Sequence, residues 1–150
     1  MSEQNKAAFR AIAEKVINTK TLDAADQYFG VEYVDHAAPP GSPAGITGFK
    51  AFFGALTTAF PDLRYTVEDL IAEGEQVVGR MTVRGTMKGA FMGMLATGKL
   101  ATWTEIHIGR FANGKVVEHW ATMDQLGMLH QLGLAPLASQ QPVAPGIVKN

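Results

Sequence analysis

Two tryptophans, two histidines and three carboxylates crowd into the stretch from Trp103 to Asp124, and together such groups can move a proton. The stretch reads as two alternating strands, 99–112 and 115–124, around Asn113-Gly114, the strongest short hairpin signal a sequence offers. A two-residue loop pairs Ala112 with Lys115 and Phe111 with Val116. Continued unbroken, it sets Gly109 against Glu118, His107 against Trp120, Glu105 against Thr122 and Trp103 against Asp124. Side chains alternate along a strand. One face is therefore expected to carry Trp103, Glu105, His107, Glu118, Trp120, Thr122 and Asp124. The other carries Ile106, Ile108, Arg110, Val117, His119, Ala121 and Met123. A carboxylate beside an indole is partly desolvated, which makes it a better base near neutral pH. A neighbouring imidazole can hold that base or donate to a developing oxyanion. The alternative is that this is simply the wet face of a sheet, though two tryptophans argue against it. A one-residue bulge would exchange part of the pattern between faces.

The rest of the chain supplies what must position this hairpin. Phe9, Ile12, Ala13, Val16 and Ile17 form the stripe of an amphipathic helix over 4–19. Thr21 can cap a shorter helix, and 31–37 reads as extended. The loop APPGSPAG follows. Thr47 is expected to cap a third helix bearing Phe49, Phe52, Phe53, Leu56 and Phe60, stopped at Pro61-Asp62. These rings pack a core and can also wall a pocket. Residues 64–72 and 76–86 alternate as strands joined at Glu73-Gly74, and 87–98 form a glycine-rich connection. Residues 125–132 close as a helical turn. Helices first and antiparallel strands afterwards make an α+β domain.

The 150 residues suit one domain, expected over 1–135, with 136–150 as a proline-rich tail or dimer arm. There is no cysteine, so disulfides and thiolate metal sites are excluded. The four histidines form no zinc-binding spacing, so no metal is expected. A net charge of −1, with no basic cluster, gives no footing for nucleic acid. The N-terminus lacks a signal-peptide pattern, and no apolar run reaches the ~20 residues that span a bilayer. A cytoplasmic protein with no membrane partner is the expectation. Only 18% of residues are charged, which leaves apolar surface for a pocket or a dimer contact.

Several segments carry a more specific signal. They are VDHAAPPG (34–41), AFPDLRYTVEDLIAEGEQVVGRMTVRGT (59–86), FMGMLATGKL (91–100) and GRFANGKVVEHWATMDQLGMLHQLG (109–133). Through them the chain, over roughly 5–133, resembles the SnoaL-like polyketide cyclases, or ester cyclases, of the nuclear-transport-factor-2-like group. The resemblance implies a cone-shaped α+β barrel, with N-terminal helices packed on a curved antiparallel sheet. It implies a hollow interior for a small hydrophobic ligand and a homodimer formed through the outer side of the sheet. Ile106, Ile108, Val117 and Met123 would suit that contact.

It also implies cofactor-free aldol chemistry, in which an aspartate removes a proton alpha to a carbonyl. Asp124, in EHWATMD, corresponds to that base, with His107 and His36 as polar partners. Trp120, Trp103, Glu105, Phe53 and Met92 would contact substrate. Asp124 can equally be a helix N-cap, His107 a structural histidine, and Glu118 a partner for Arg110. Relatives often have histidine after Gly-Thr, where this chain has Met87. They often have proline before Thr-Gly-Lys, where it has Ala96. The connection is rich in methionine (Met87, Met92, Met94), which suits an adaptable, greasy entrance. Two other readings stand beside the enzyme. One is a binding protein for a hydrophobic molecule. The other is an epoxide hydrolase using Arg80 or Arg84 between two aspartates.

Overall fold

A computed structural model describes residues 1–134 of the chain, and the expected tail lies outside the described residues. The elements are α1 (Ser2–Ala11), a π-helical segment (Ile12–Ile17), a 3-10 helix (Leu22–Gln27), β1 (Phe29–Asp35), α2 (Gly45–Ala59), β2 (Arg64–Glu73), β3 (Gln76–Thr86), β4 (Leu100–Ala112), β5 (Lys115–Met123) and α3 (Gln125–Leu132). The helix expected over 4–19 is thus α1 running on into the π-helical segment. The widened turns keep Phe9, Ala13, Val16 and Ile17 buried on one side. The third helix starts at Gly45, two residues before the expected cap, and Ala44 precedes it without a side-chain bond.

The strands form one curved sheet in the order β1-β5-β4-β3-β2. It is antiparallel except at one edge, where β1 runs parallel to β5. A parallel partner that distant in sequence leaves no local signal, so the sheet departs here from the all-antiparallel expectation. Bulge-like register shifts in β1, β2 and the β4–β5 pair bend the strands.

The helices cover one face of the sheet. On β3, Val77, Met81 and Val83 are buried, while Arg80 and Arg84, of the opposite parity, are exposed. On β4 the same parity buries Ala101, Trp103, Glu105 and Phe111. The ring of Phe9 lies so close to the sheet that a Cβ at Gly79 would collide with its Cε1. Glycine there lets the helix and strand meet. Asn18 ties the end of the helical arm to β2. It donates to the Tyr65 carbonyl at 2.8 Å and accepts the Tyr65 N–H at 2.7 Å. Gln131 makes the same double bond with Thr102 and holds α3 against β4.

The Asn113-Gly114 turn forms with positive φ at both residues, 53° and 77°. Ala112 pairs with Lys115 and Phe111 with Val116, as the loop length dictates. The register then slips. Arg110 pairs with Glu118, Gly109 with His119, Ile108 with Trp120 and His107 with Ala121. Val117 is the extra residue, buried where its Cγ1 would stand 3.0 Å from a Cβ at Gly30. Every side chain of β5 beyond the bulge therefore changes sides relative to the unbroken register.

Candidate active site

The slip decides which polar groups meet. Glu118 and Trp120 move to the outer face, and His119 moves to the inner one. Trp103, Glu105 and His107 on β4 keep the inner face, so His119 of β5 comes beside His107. Asp35, at the end of β1, pairs with His119 across the parallel ladder.

The result is a continuous line of hydrogen bonds. Asp35 Oδ1 lies 2.8 Å from His119 Nδ1. His119 Nε2 lies 2.8 Å from His107 Nδ1, the two rings stacked at 5.1 Å. His107 Nε2 lies 2.6 Å from Glu105 Oε2. Glu105 is only 6% exposed, and its other oxygen accepts from Trp103 Nε1–H at 2.8 Å and the Tyr65 hydroxyl at 3.4 Å. A buried carboxylate with every contact satisfied is held rigidly. The four groups pair in a line rather than converge on a point. Among the described residues no set of three or more such side chains is placed to hold a metal ion.

This line floors a pocket of about 70 Å³ between the helices and the sheet. Asp35, His119, His107, Tyr33 and Tyr65 face it, under a roof that includes Phe9, Ile12, Phe49 and Phe53. Among the described residues no lysine or arginine lines it. Glu105 and Trp103 stand behind His107, outside the lining.

The surroundings set the charges. Burial alone would raise the Asp35 carboxyl, but the His119 bond and charge, the Ala37 N–H at 2.9 Å and Tyr33 outweigh it and hold it below the usual aspartate range. Burial, then the Asp35 charge, pushes the Tyr33 phenol up. Burial, then the Glu105 charge, does the same to Tyr65. Both phenols stay protonated and act as donors.

The other residues singled out from the sequence lie elsewhere. Asp124 follows β5, is exposed, and caps α3 by accepting the Gly127 N–H at 2.9 Å. His36 stacks on Trp120 at 4.9 Å and bonds Glu118 at 2.8 Å on the outer side of the sheet. Arg110 joins the same Glu118 at 2.7 Å. These two partners hold the Glu118 carboxyl low, His36 first. Met92 is 61% exposed. Met87 is fully buried, so it belongs to the core and not to an entrance. Arg80 pairs with Asp69 on the exposed face, and Arg84 shares that face, which leaves the epoxide-hydrolase arrangement without its arginine.

Comparison with known proteins fits this frame. The family model for the SnoaL-like polyketide cyclases matches residues 7–132. The chain belongs to the SnoaL-like polyketide cyclase family. Aklanonic acid methyl ester cyclase DnrD of Streptomyces peucetius is 31% identical over 120 residues, covering 77% of this chain and 82% of the relative. Nogalonic acid methyl ester cyclase of Streptomyces nogalater is 28% identical over 118 residues, covering 77% and 88%. Among solved structures, TsrD of Streptomyces laurentii superposes with a TM-score of 0.77 at 30% identity, over 89% of this chain and 95% of its own.

Sequence reasoning put Trp103, Glu105 and His107 on one face, and the resemblance put Phe53 at the substrate, but Asp35, His119, Tyr33 and Tyr65 were missed. A signal for His119 was present. Val116 and Val117 are two consecutive apolar residues just after the turn, where an unbroken strand would send one of them to each face, and both are buried, as a bulge allows. Asp35 had no comparable signal, because its partner lies 84 residues away.

Proposed function

We propose that this SnoaL-like chain closes a ring in a neutral polyketide-type ester by an intramolecular aldol reaction run from the inner face of the sheet, without a cofactor. The observation that carries the reading is the line from Asp35 to Glu105 under an apolar roof. Asp35 takes the proton alpha to a carbonyl. The enolate carbon attacks a second carbonyl of the same molecule, and the new alkoxide takes a proton from His119 or Tyr33. A carboxylate held low is a weak base. It therefore suits a carbon flanked by two carbonyls, whose proton is already acidic, as in a β-keto ester. Among the described residues the lining carries no lysine or arginine to pair with a carboxylate, which favours a neutral ester over a free acid.

Ligand sites for drug-sized molecules usually measure ~300–1,000 Å³. Against the 70 Å³ here, a fused-ring substrate needs the roof to move. The π-helical segment, which carries Ile12 and Ile17 onto the pocket, is the wall that can shift. Incubation with aklanonic acid methyl ester is expected to give an isomer of unchanged mass with one more ring, separable by chromatography. Tight binding with no isomer would make the protein a carrier. No binding of this or any related β-keto ester would end the reading.

A second copy of the chain is the proposed partner of the outer face. Val78, Ile108 and Trp120 are neighbours in one row across three strands, and Ile106 beside them is 43% exposed. The register slip puts Trp120 in this row, while Met123 pairs opposite inward-facing Glu105 and Val117 is taken into the bulge. Sedimentation equilibrium is expected to give twice the monomer mass, and Ile108→Lys to reduce it to one. A wild-type monomer at micromolar concentration would refute the dimer.

A further inference from the structure

The three links between Asp35, His119, His107 and Glu105 restrict where protons can sit. Each link joins two heavy atoms 2.6–2.8 Å apart, and each needs one hydrogen between them. Two hydrogens in a link collide. None leaves two lone pairs facing each other. Three links therefore hold three protons. Two neutral imidazoles carry only two. The third sits on a ring or on a carboxyl oxygen.

The carboxylates decide which. Asp35 accepts from the Ala37 N–H as well as from His119, with Tyr33 also against it, and is held ionised. Glu105 accepts from Trp103 and Tyr65 on one oxygen and from His107 on the other. Both carboxylates are solvated by donors, which favours their charged forms. Among the described residues the pocket lining holds no charged side chain beyond Asp35, His107 and His119, and its other titratable groups are two phenols. Tyr33 of β1 and Tyr65 of β2 stay protonated. The helical arm, α2 and β3 contribute apolar side chains such as Phe9, Phe53 and Met81 to the pocket.

We infer that in the resting protein the two rings share three protons, so that one imidazolium lies clamped between two carboxylates, and that Glu105 is the positioning residue that keeps it there. The four groups then carry a net charge of −1, with both outer ring nitrogens protonated and one proton shared between His107 Nδ1 and His119 Nε2. This rests on the cyclase reading only for its use. There, the extra proton gives the site an acid for the alkoxide beside the base that generates the enolate. The aldol step forms one carbon–carbon bond and consumes no proton overall, so the site returns to three protons each turnover.

Glu105→Gln tests it. The amide oxygen must replace the oxygen that accepts from Trp103 Nε1–H and Tyr65. The amide N–H₂ then faces His107 Nε2, which must give up its proton to accept. The line reverses to His107 Nδ1–H, His119 Nε2, His119 Nδ1–H and Asp35. It now holds two ring protons and no imidazolium. Nitrogen-15 NMR of the histidine rings in the full, ligand-free chain at pH 7 reads the count directly. The expected result is three ring protons in the wild type and in Tyr65→Phe, which loses only the 3.4 Å donor, and two in Glu105→Gln. Two neutral rings in the wild type would overturn the inference even if no variant folded. So would three protons surviving in a folded Glu105→Gln. The measurement uses no substrate. Failure of the ring-closure assay with a count of three would remove the cyclase reading and leave this one standing.

Discussion

Asp35→Asn is expected to lower kcat for ring closure by ~10²–10⁴-fold, the usual contribution of a positioned general base. Asparagine keeps the size of the side chain and can still accept the His119 proton through its oxygen, so the sheet edge and the pocket survive. What it loses is the ionised oxygen that takes the substrate proton. Far-ultraviolet circular dichroism should be unchanged. The informative comparison is Asp124→Asn, because the family resemblance points to that carboxylate as the base. Asparagine caps a helix about as well as aspartate, so α3 should keep its Gly127 bond and the protein its stability. Turnover is expected to stay within a few-fold. Loss of turnover in Asp124→Asn with activity retained in Asp35→Asn would move the reacting carboxylate to the N-terminus of α3 and remove the inner line from the mechanism. The acid side of the pH profile adds a check. With its carboxyl held low, Asp35 stays ionised down through the ordinary aspartate range near 4. The part of activity and of folding stability that depends on it is present above that range and lost only as pH falls through the lowered value.

The reason Asp35 and Asp124 compete at all lies in how far a sequence pattern reaches. The Asn113-Gly114 turn specifies the first two cross-strand pairs by loop geometry, and both form. Beyond them each pair rests on the assumption that no residue is inserted. One bulged valine breaks it, and a side-chain period of two turns that single residue into an exchange of faces. Hence β4 was legible: Trp103, Glu105 and His107 do share a face, because the bulge lies on the other strand. On β5, Trp120 and His119 changed places. The helices were legible because their stripes are local and repeated, and α3 was read correctly at 125–132. β1 was legible as a strand but not as a neighbour of β5, since nothing in 29–35 encodes a parallel pairing across the intervening helix and three strands. The missing half of the line, Asp35 and His119, is therefore the half that depends on one bulge and one long-range pairing.

Phe60→Ala is expected to cost about 3–5 kcal/mol, which is the usual range for deleting a buried phenylalanine. Phe60 ends the stripe of α2 and is 1% exposed. Its ring packs edge-on against Trp103 at 5.9 Å and Phe91 at 6.3 Å. It also fills the space above Gly85, where a Cβ would meet its Cδ1 at 2.9 Å. The surrounding groups belong to α2, β3, β4 and the connection after β3, so they cannot collapse together into the gap. A domain of this size holds ~5–15 kcal/mol in total, so the loss is a large fraction of it. Urea unfolding should show the midpoint falling with little change in slope, and the melting temperature should drop by roughly 10 °C or more. Phe60→Leu refills most of the volume and should recover over half of the loss. The effect also reaches the site, because Trp103 is the donor that orients Glu105. Released from Phe60, the indole can turn and its bond to Glu105 loosens. In the variant, kcat should therefore fall with KM little changed, under conditions where the protein remains folded. A stability change below ~1 kcal/mol would mean the cavity collapses freely and this end of the core is not rigid. Unchanged kcat in the folded variant would separate the packing of Trp103 from the geometry of the acid-base line.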